Sequence, residues 1–137
     1  MTREYTNDQI TVLWDAERCV HSGNCVRGLP QVFDVHKRPW ISIDAAEAGA
    51  IAEVITRCPS GALHFRRSDG GPQEPIPAET VVTAVSSGPL YLSGPLEVRD
   101  PQGNMLRRDT RVALCGCGDT QSSPFCDNAC SHVGAQP

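Results

Sequence analysis

The stretch Cys115-Gly-Cys117-Gly-Asp-Thr120-Gln-Ser-Ser-Pro124-Phe-Cys126-Asp127-Asn128-Ala-Cys130 places four cysteines within sixteen residues. Gly, Ser, Pro and Asn separate them, and these residue types favour turns. Four thiols this close together cannot all be core residues of one helix or strand. The stretch therefore predicts a loop that binds a metal centre.

The spacing of these cysteines favours iron and sulfide over zinc. Structural zinc ligands usually come in pairs separated by about two to four residues, whereas a single residue separates Cys115 from Cys117. Gly116 and Gly118 carry no Cβ, so backbone amides can approach bridging sulfides there. Such N–H to sulfur hydrogen bonds help to set the reduction potential of a cluster. A zinc site remains the alternative.

The run Cys115-x-Cys117-x-x-Thr120-x-x-x-Pro124-x-Cys126-Asp127 resembles the iron-sulfur motif of the CDGSH (NEET-type) proteins. That resemblance implies a 2Fe-2S cluster bound by three cysteines and one histidine. On this chain it makes Cys115, Cys117 and Cys126 the three cysteine ligands.

The chain departs from the CDGSH pattern after Asp127. Asn128 occupies the position of a usual Gly, and Cys130 that of the ligand His. The family often has a Gly four residues after its His, and Gly134 follows Cys130 at that spacing. The register therefore favours Cys130 as the fourth ligand, with His132 as the alternative.

A second set of cysteines, Cys19, Cys25 and Cys58, lies in the first half of the chain. Cys58 precedes Pro59, as the remote ligand of bacterial ferredoxins does. Ser22 stands where the usual close run has its middle cysteine. Three thiolates suffice for a 3Fe-4S cluster, or for a 4Fe-4S cluster whose fourth ligand is not a cysteine. Ser22, His21 or no side chain at all could supply that fourth ligand. The simpler alternative to a cluster is that these cysteines are buried and bind no metal.

The segment from Arg18 through Cys19, Cys25 and Pro30 to Ile41 resembles the divergent mono-cluster 4Fe-4S ferredoxin-like family. The resemblance covers residues 10–67. It implies a small α+β ferredoxin-like module, and electron transfer as its function.

Composition agrees with a protein stabilised by metal centres. Only 5% of the 137 residues are aromatic, and Gly and Pro number 12 and 11. Domains of about half this length bury little apolar surface and usually need a metal or disulfide staple. The odd count of 7 cysteines argues against complete disulfide pairing and divides naturally into three and four ligands.

Charge and hydropathy limit the class of partner. The net charge is −4 without a basic stripe, which argues against nucleic-acid binding. The polar start lacks the apolar region of a secretory signal, and no apolar run approaches the roughly 18 residues of a membrane span. We expect a soluble, cytoplasmic protein that docks with redox partners such as a reductase or an oxygenase. A homodimer is possible.

Residue patterns predict ten secondary-structure elements. Residues 44–57 should form the clearest helix, with Asp44 as N-cap and Glu47 completing a capping box. A short helix should follow the loop of the first cysteines. Arg99, Arg107, Arg108 and Arg111 are most simply a solvated face. The predicted strands are 10–14, 32–35 and 40–43 as a possible hairpin, 64–66, 80–85, 90–92, 96–99 and 110–114.

Together these patterns predict an α+β chain with two iron-sulfur modules. Residues 1–68 form the ferredoxin-like module, 69–78 a Gly/Pro-rich linker, and 79–137 a β-rich CDGSH module. Neither a nucleophile with its base nor a phosphate loop is recognisable, so we expect an electron carrier with no catalytic activity. The alternative function is the storage, transfer or sensing of clusters.

Overall fold

The computed structural model describes residues 2–20, 22–84, 89–115 and 124–126. This part of the chain is rich in sheet, with two antiparallel three-stranded sheets in the strand orders β1-β2-β3 and β4-β5-β6. The two sheets agree with the predicted division into two modules. No helix within the described ranges is both long and apolar enough to span a membrane. The strands are β1 (Thr2–Thr6), β2 (Ile10–Asp15), β3 (Leu63–Arg67), β4 (Val81–Ala84), β5 (Leu90–Arg99) and β6 (Met105–Leu114); the helices are a 3-10 turn (Ala16–Arg18), α1 (Asn24–Gly28) and α2 (Ala48–Ile55).

The first sheet packs its alternate residues against α2. Ile10 and Val12 of β2 are fully buried, as are Ile51 and Ile55 on the inner face of the helix. This alternation of buried and exposed positions is what a half-buried strand requires. The predictions of a strand at 10–14 and of a helix with this apolar face are confirmed.

The start of α2 differs from the prediction. The helix begins at Ala48 after Glu47, which makes no capping hydrogen bond with its side chain. The carboxylate of Asp44 instead accepts a hydrogen bond of 2.8 Å from the side chain of Asn7. The predicted capping box is therefore wrong, because a partner distant in sequence takes the carboxylate that should have capped the helix.

The predicted hairpin at 32–35 and 40–43 is reduced to one bridge between Phe33 and Ile41. The first strand, β1, was not predicted, because its polar residues show no apolar alternation and it is an exposed edge. In the second sheet, segments 90–92 and 96–99 form the single strand β5, with a bulge between Ser93 and Leu96. Gly94 lies in this bulge at a φ of 130°, which disfavours a residue with a Cβ.

Side chains from residues 69–78 cover the free edge of β3. Gln73 bonds both backbone groups of Arg67: its Oε1 accepts from the Arg67 amide and its Nε2 donates to the Arg67 carbonyl, each at 2.9 Å. Glu74 accepts from the amide of Phe65 at 3.1 Å. These side chains act as a substitute strand, which satisfies an edge that would otherwise be open to pairing.

Candidate metal centres

The cysteines of the first set line one cavity of about 520 Å³, although they come from three separate segments. Cys19 follows the 3-10 turn, Cys25 lies in the first turn of α1, and Cys58 comes three residues after the end of α2. The turn before α1 needs Gly23, whose φ is 80°. The structure therefore brings together all three cysteines predicted from the sequence.

The electrostatics of this cavity suit a metal cluster. Burial raises the pKa of the Cys25 thiol to about 11, and negative charge on Cys58 and Cys19 adds to the effect. Three thiolates facing one cavity would repel each other unless a cation lay between them. Ferric ions would supply that cation, and coordination to a metal deprotonates a thiol outright. The donor set therefore fits an iron-sulfur cluster.

The spread of the three thiols is also consistent with a cluster. No group of three His, Cys, Asp or Glu side chains in the described segments is placed to hold a single metal ion. In a cluster the thiolates bind different iron atoms, so they surround a cavity and do not converge on one point. A mononuclear zinc site would need convergent ligands.

Apolar and hydroxyl side chains complete the cavity. Trp14 and Trp40 meet edge to face, with ring centroids 4.9 Å apart, and both line it. Ser22 is buried and lines the cavity too, while the hydroxyl of Ser60 lies 3.7 Å from the Cys58 sulfur. The other suggested fourth ligand, His21, lies outside the described residues.

Two cysteines of the second set lie on one face of a small ladder at the end of β6. Leu114 pairs with Phe125 in an antiparallel bridge, the Cys115 amide donates to the Pro124 carbonyl at 2.9 Å, and the Cys126 amide donates to Ala113 at 2.8 Å. Cys126 lies opposite Ala113 in this ladder, and Ala113 shares a face of its strand with Cys115, two residues further on. Cys115 and Cys126 therefore point to the same side. The other predicted ligands, Cys117 and Cys130, and the alternative His132 lie outside the described residues.

Family models match both halves of the chain. The model of the divergent 4Fe-4S mono-cluster matches residues 5–68, and that of the iron-binding zinc finger of CDGSH type matches residues 87–132. The chain belongs to the divergent 4Fe-4S mono-cluster family. A CDGSH domain is fused to it, as the sequence predicted, and the protein is an iron-sulfur protein.

Two known proteins are similar in sequence to part of this chain. The chain is 44% identical over 64 residues to the uncharacterized protein YjdI of Escherichia coli strain K12, and equally so to that of E. coli O157:H7. The aligned segment is 47% of this chain and 84% of each relative. No solved structure matches the chain.

Arg111 of the CDGSH domain is buried against the mono-cluster domain. Its guanidinium donates to the carbonyls of Ile55 and Cys58 at 2.7 Å each and of Leu63 at 2.8 Å, and it pairs with Glu74. The prediction of a solvated face is therefore wrong for Arg111. The sequence shows that Arg111 is charged. It does not show that a segment distant in sequence brings its backbone carbonyls to that charge.

An ion network surrounds this arginine at the domain interface. His64 bonds Glu74 through Nδ1 at 2.7 Å and Asp109 through Nε2 at 2.8 Å, and Arg107 bonds Asp109 at 2.8 Å and Asp15 at 3.2 Å. Burial alone would lower the pKa of His64, but the bonds to Asp109 and Glu74 raise it to about 9. His64 is therefore a cation at neutral pH. Its bond to Asp109 connects the two domains, and its bond to Glu74 connects the first domain to the segment 69–78.

Proposed function

We propose that the protein is a one-electron carrier with two iron-sulfur clusters. A 3Fe-4S or 4Fe-4S cluster is held by Cys19, Cys25 and Cys58. A 2Fe-2S cluster is held by Cys115, Cys117, Cys126 and Cys130. The domains are residues 1–68 and 79–137, joined by 69–78, and the first domain is ferredoxin-like.

The position of Cys19, Cys25 and Cys58 around one cavity carries this proposal. Isolated buried cysteines would have no reason to come from three segments and face the same space. When bound, the clusters would supply the one-electron redox chemistry. The chain contributes the thiolates, the shape of the cavity and its polarity.

The residues around the cavity favour a buried redox site. Trp14, Trp40 and Val20 give the cavity an apolar lining, and an apolar lining limits the access of water to a cluster. Ser60 lies close enough to the Cys58 sulfur to donate a hydrogen bond, which would stabilise its negative charge. These contacts adjust a reduction potential and need neither a nucleophile nor a general base, so we infer no catalytic activity.

The protein's role requires partners that give and take electrons. We infer redox proteins such as a reductase or an oxygenase, no nucleic acid, no membrane, and a possible homodimer. The chain has 7 cysteines, an odd count that argues against a complete set of disulfides. Disulfides are rare in a reducing compartment, so we infer a cytoplasmic location.

Counting iron and acid-labile sulfide in anaerobically purified protein tests the proposal. We expect both elements in amounts equal to one 2Fe-2S cluster plus one 3Fe-4S or 4Fe-4S cluster in each chain. The triple variant Cys19→Ala, Cys25→Ala, Cys58→Ala should keep only the 2Fe-2S cluster. Stoichiometric zinc without sulfide would contradict the proposal.

A second measurement separates electron transfer from cluster donation. The anaerobic protein is mixed with an apo-ferredoxin, and the partners are then separated and their iron is counted. An electron carrier keeps its clusters over many reduction and oxidation cycles. Rapid loss of iron and sulfide to the apo-protein would favour storage or transfer.

A further inference from the structure

The two cysteine sites lie on opposite sides of one thin wall. Val20, directly after Cys19, lines the cavity of the first site. The same side chain is 2% exposed and packs in a buried cluster with Tyr91, Ala113 and Cys126, against which Cys115 also packs. A single valine therefore touches both the first cavity and the cysteine side of the second site.

Strand pairing puts the residues on the far side of this wall in one row. Tyr91 of β5 pairs with Ala113 of β6, and Ala113 in turn bonds the amide of Cys126. Paired residues of neighbouring strands share a face of the sheet. Tyr91, Ala113 and Cys126 therefore lie side by side, and Val20 covers them.

Tyr91 packs in the same buried cluster as Val20 and Cys126. Burial is the main cause that raises the pKa of its hydroxyl to about 12, and charge on Cys126 and then on Cys58 adds to this effect. Tyr91 is 5% exposed, so its ring is packed within the protein beside Val20.

A hydrogen bond fixes the first site against the second. Arg111 Nη1 donates to the carbonyl of Cys58 at 2.7 Å. Arg111 lies on β6 four residues before Cys115, which that strand leads into directly. The backbone of Cys58, a predicted ligand of the first site, is therefore bound to the strand that leads into Cys115, a predicted ligand of the second.

We propose that Val20 and Tyr91 form the path by which one electron passes within a single chain between the two cysteine sites. This inference rests on the proposed two-cluster function. In the transfer the site that was reduced loses one electron, the other gains it, and no proton or bond changes place. The protein can then accept an electron from a donor at one domain and deliver it from the other.

The primary test is the magnetic interaction between the sites in the intact, anaerobic protein. With both clusters reduced by dithionite, we expect electron paramagnetic resonance lines that are broadened or split relative to each cluster alone. The triple variant at Cys19, Cys25 and Cys58 gives the reference spectrum of the second site. If the spectrum of the fully reduced protein equals the sum of the spectra of the two separate clusters, the sites do not interact and the proposal is overturned.

Kinetics test the path itself. A light flash on a deazaflavin gives each chain less than one electron, and absorbance then follows its redistribution between the clusters. We expect a phase whose rate does not depend on protein concentration. A rate proportional to concentration would mean transfer between chains and would overturn the proposal.

Variants at the wall should change that rate selectively. Tyr91→Ala replaces packed atoms with a void and should slow the phase severalfold, whereas Tyr91→Phe keeps the ring and should not. Leu92→Ala is the matched control, because Leu92 is next in β5 and faces the other side of the sheet. An unchanged rate in Tyr91→Ala, with both clusters retained, would remove Tyr91 from the path.

Iron and sulfide counts separate the two proposals. Two clusters without magnetic interaction would overturn the shared path alone. A chain with only one cluster would overturn both this inference and the two-cluster function.

Discussion

The guanidinium carbon of Arg18 lies 4.5 Å from the centre of the Phe125 ring. Arg18 directly precedes Cys19 and Phe125 directly precedes Cys126, so the contact joins a segment with a predicted ligand in one domain to such a segment in the other. The Arg18 side chain is 11% exposed, and a cation over an aromatic face is strongest when water is excluded. This contact should help to hold the two cysteine sites at a fixed separation.

A double-mutant cycle measures this contact. Arg18→Met and Phe125→Leu should each destabilise the anaerobic protein, and the double variant should lose less than the sum. We expect a coupling energy of about 0.5–2 kcal/mol from denaturant titrations followed by circular dichroism. A coupling energy near zero would show that the two side chains are neighbours without mutual stabilisation.

Gly61 should tolerate no side chain because of a close approach between the domains. Its φ is 76°, and a Cβ there would lie 2.2 Å from the carbonyl oxygen of Arg111. Backbone cannot move aside as a flexible side chain can. Gly61→Ala should therefore separate the domains and destabilise the protein by about 1–3 kcal/mol beyond the cost of its φ.

Gly70→Ala is the control that isolates this clash. Gly70 has a similar φ of 84°, but nothing lies within 4 Å of its added Cβ. It should cost only the left-handed strain, about 1–2 kcal/mol. Equal losses in both variants, measured by thermal or denaturant unfolding, would mean that the approach to Arg111 does not matter.

Arg111→Met tests the buried cation at the interface. The substitution leaves three carbonyls without the guanidinium donor and removes one of the two cationic partners of Glu74, so it should cost about 3–5 kcal/mol. It should also increase the loss of iron from the first site, because the Cys58 carbonyl is released. Arg99→Met, at an exposed arginine of β5, is the control and should change stability little.

The grouping of Cys19, Cys25 and Cys58 around one cavity was predictable because their spacing and the Cys58-Pro59 signal are local in sequence. The strand β2 and the apolar face of α2 follow from periodicity for the same reason. The interface was not predictable. The role of Arg111 depends on carbonyls at Ile55 and Leu63, which the chain brings near only after both domains have folded.

The pKa of His64 predicts how stability varies with pH. The folded protein raises it from an ordinary 6.5 to about 9, so the protonated form is favoured on folding. This contribution is fully present below about pH 6.5 and is lost as the pH rises through 9. The loss should amount to at most about 3 kcal/mol, measured by denaturant titrations between these pH values.

His64→Gln is the control for this pH dependence. Glutamine can keep a hydrogen bond to one of the carboxylates, but it does not titrate. The variant should be less stable near neutral pH and nearly flat between pH 6.5 and 9. A wild-type slope that persists in His64→Gln would assign the pH dependence to other groups.

Cys130 and His132 give opposite predictions for the second site. If Cys130 is the fourth ligand, Cys130→Ala should remove or badly destabilise the 2Fe-2S cluster, while His132→Ala should leave its spectrum nearly unchanged.

A fourth thiolate adds a negative charge that a neutral imidazole lacks, so the reduction potential should be lower than with a histidine ligand. It should also be nearly constant between about pH 6 and 8, where an imidazole would titrate. Redox titrations over that range, with visible spectra of both variants, check the assignment. Loss of the cluster in His132→Ala alone would reverse it and would favour a labile cluster that can be passed to other proteins.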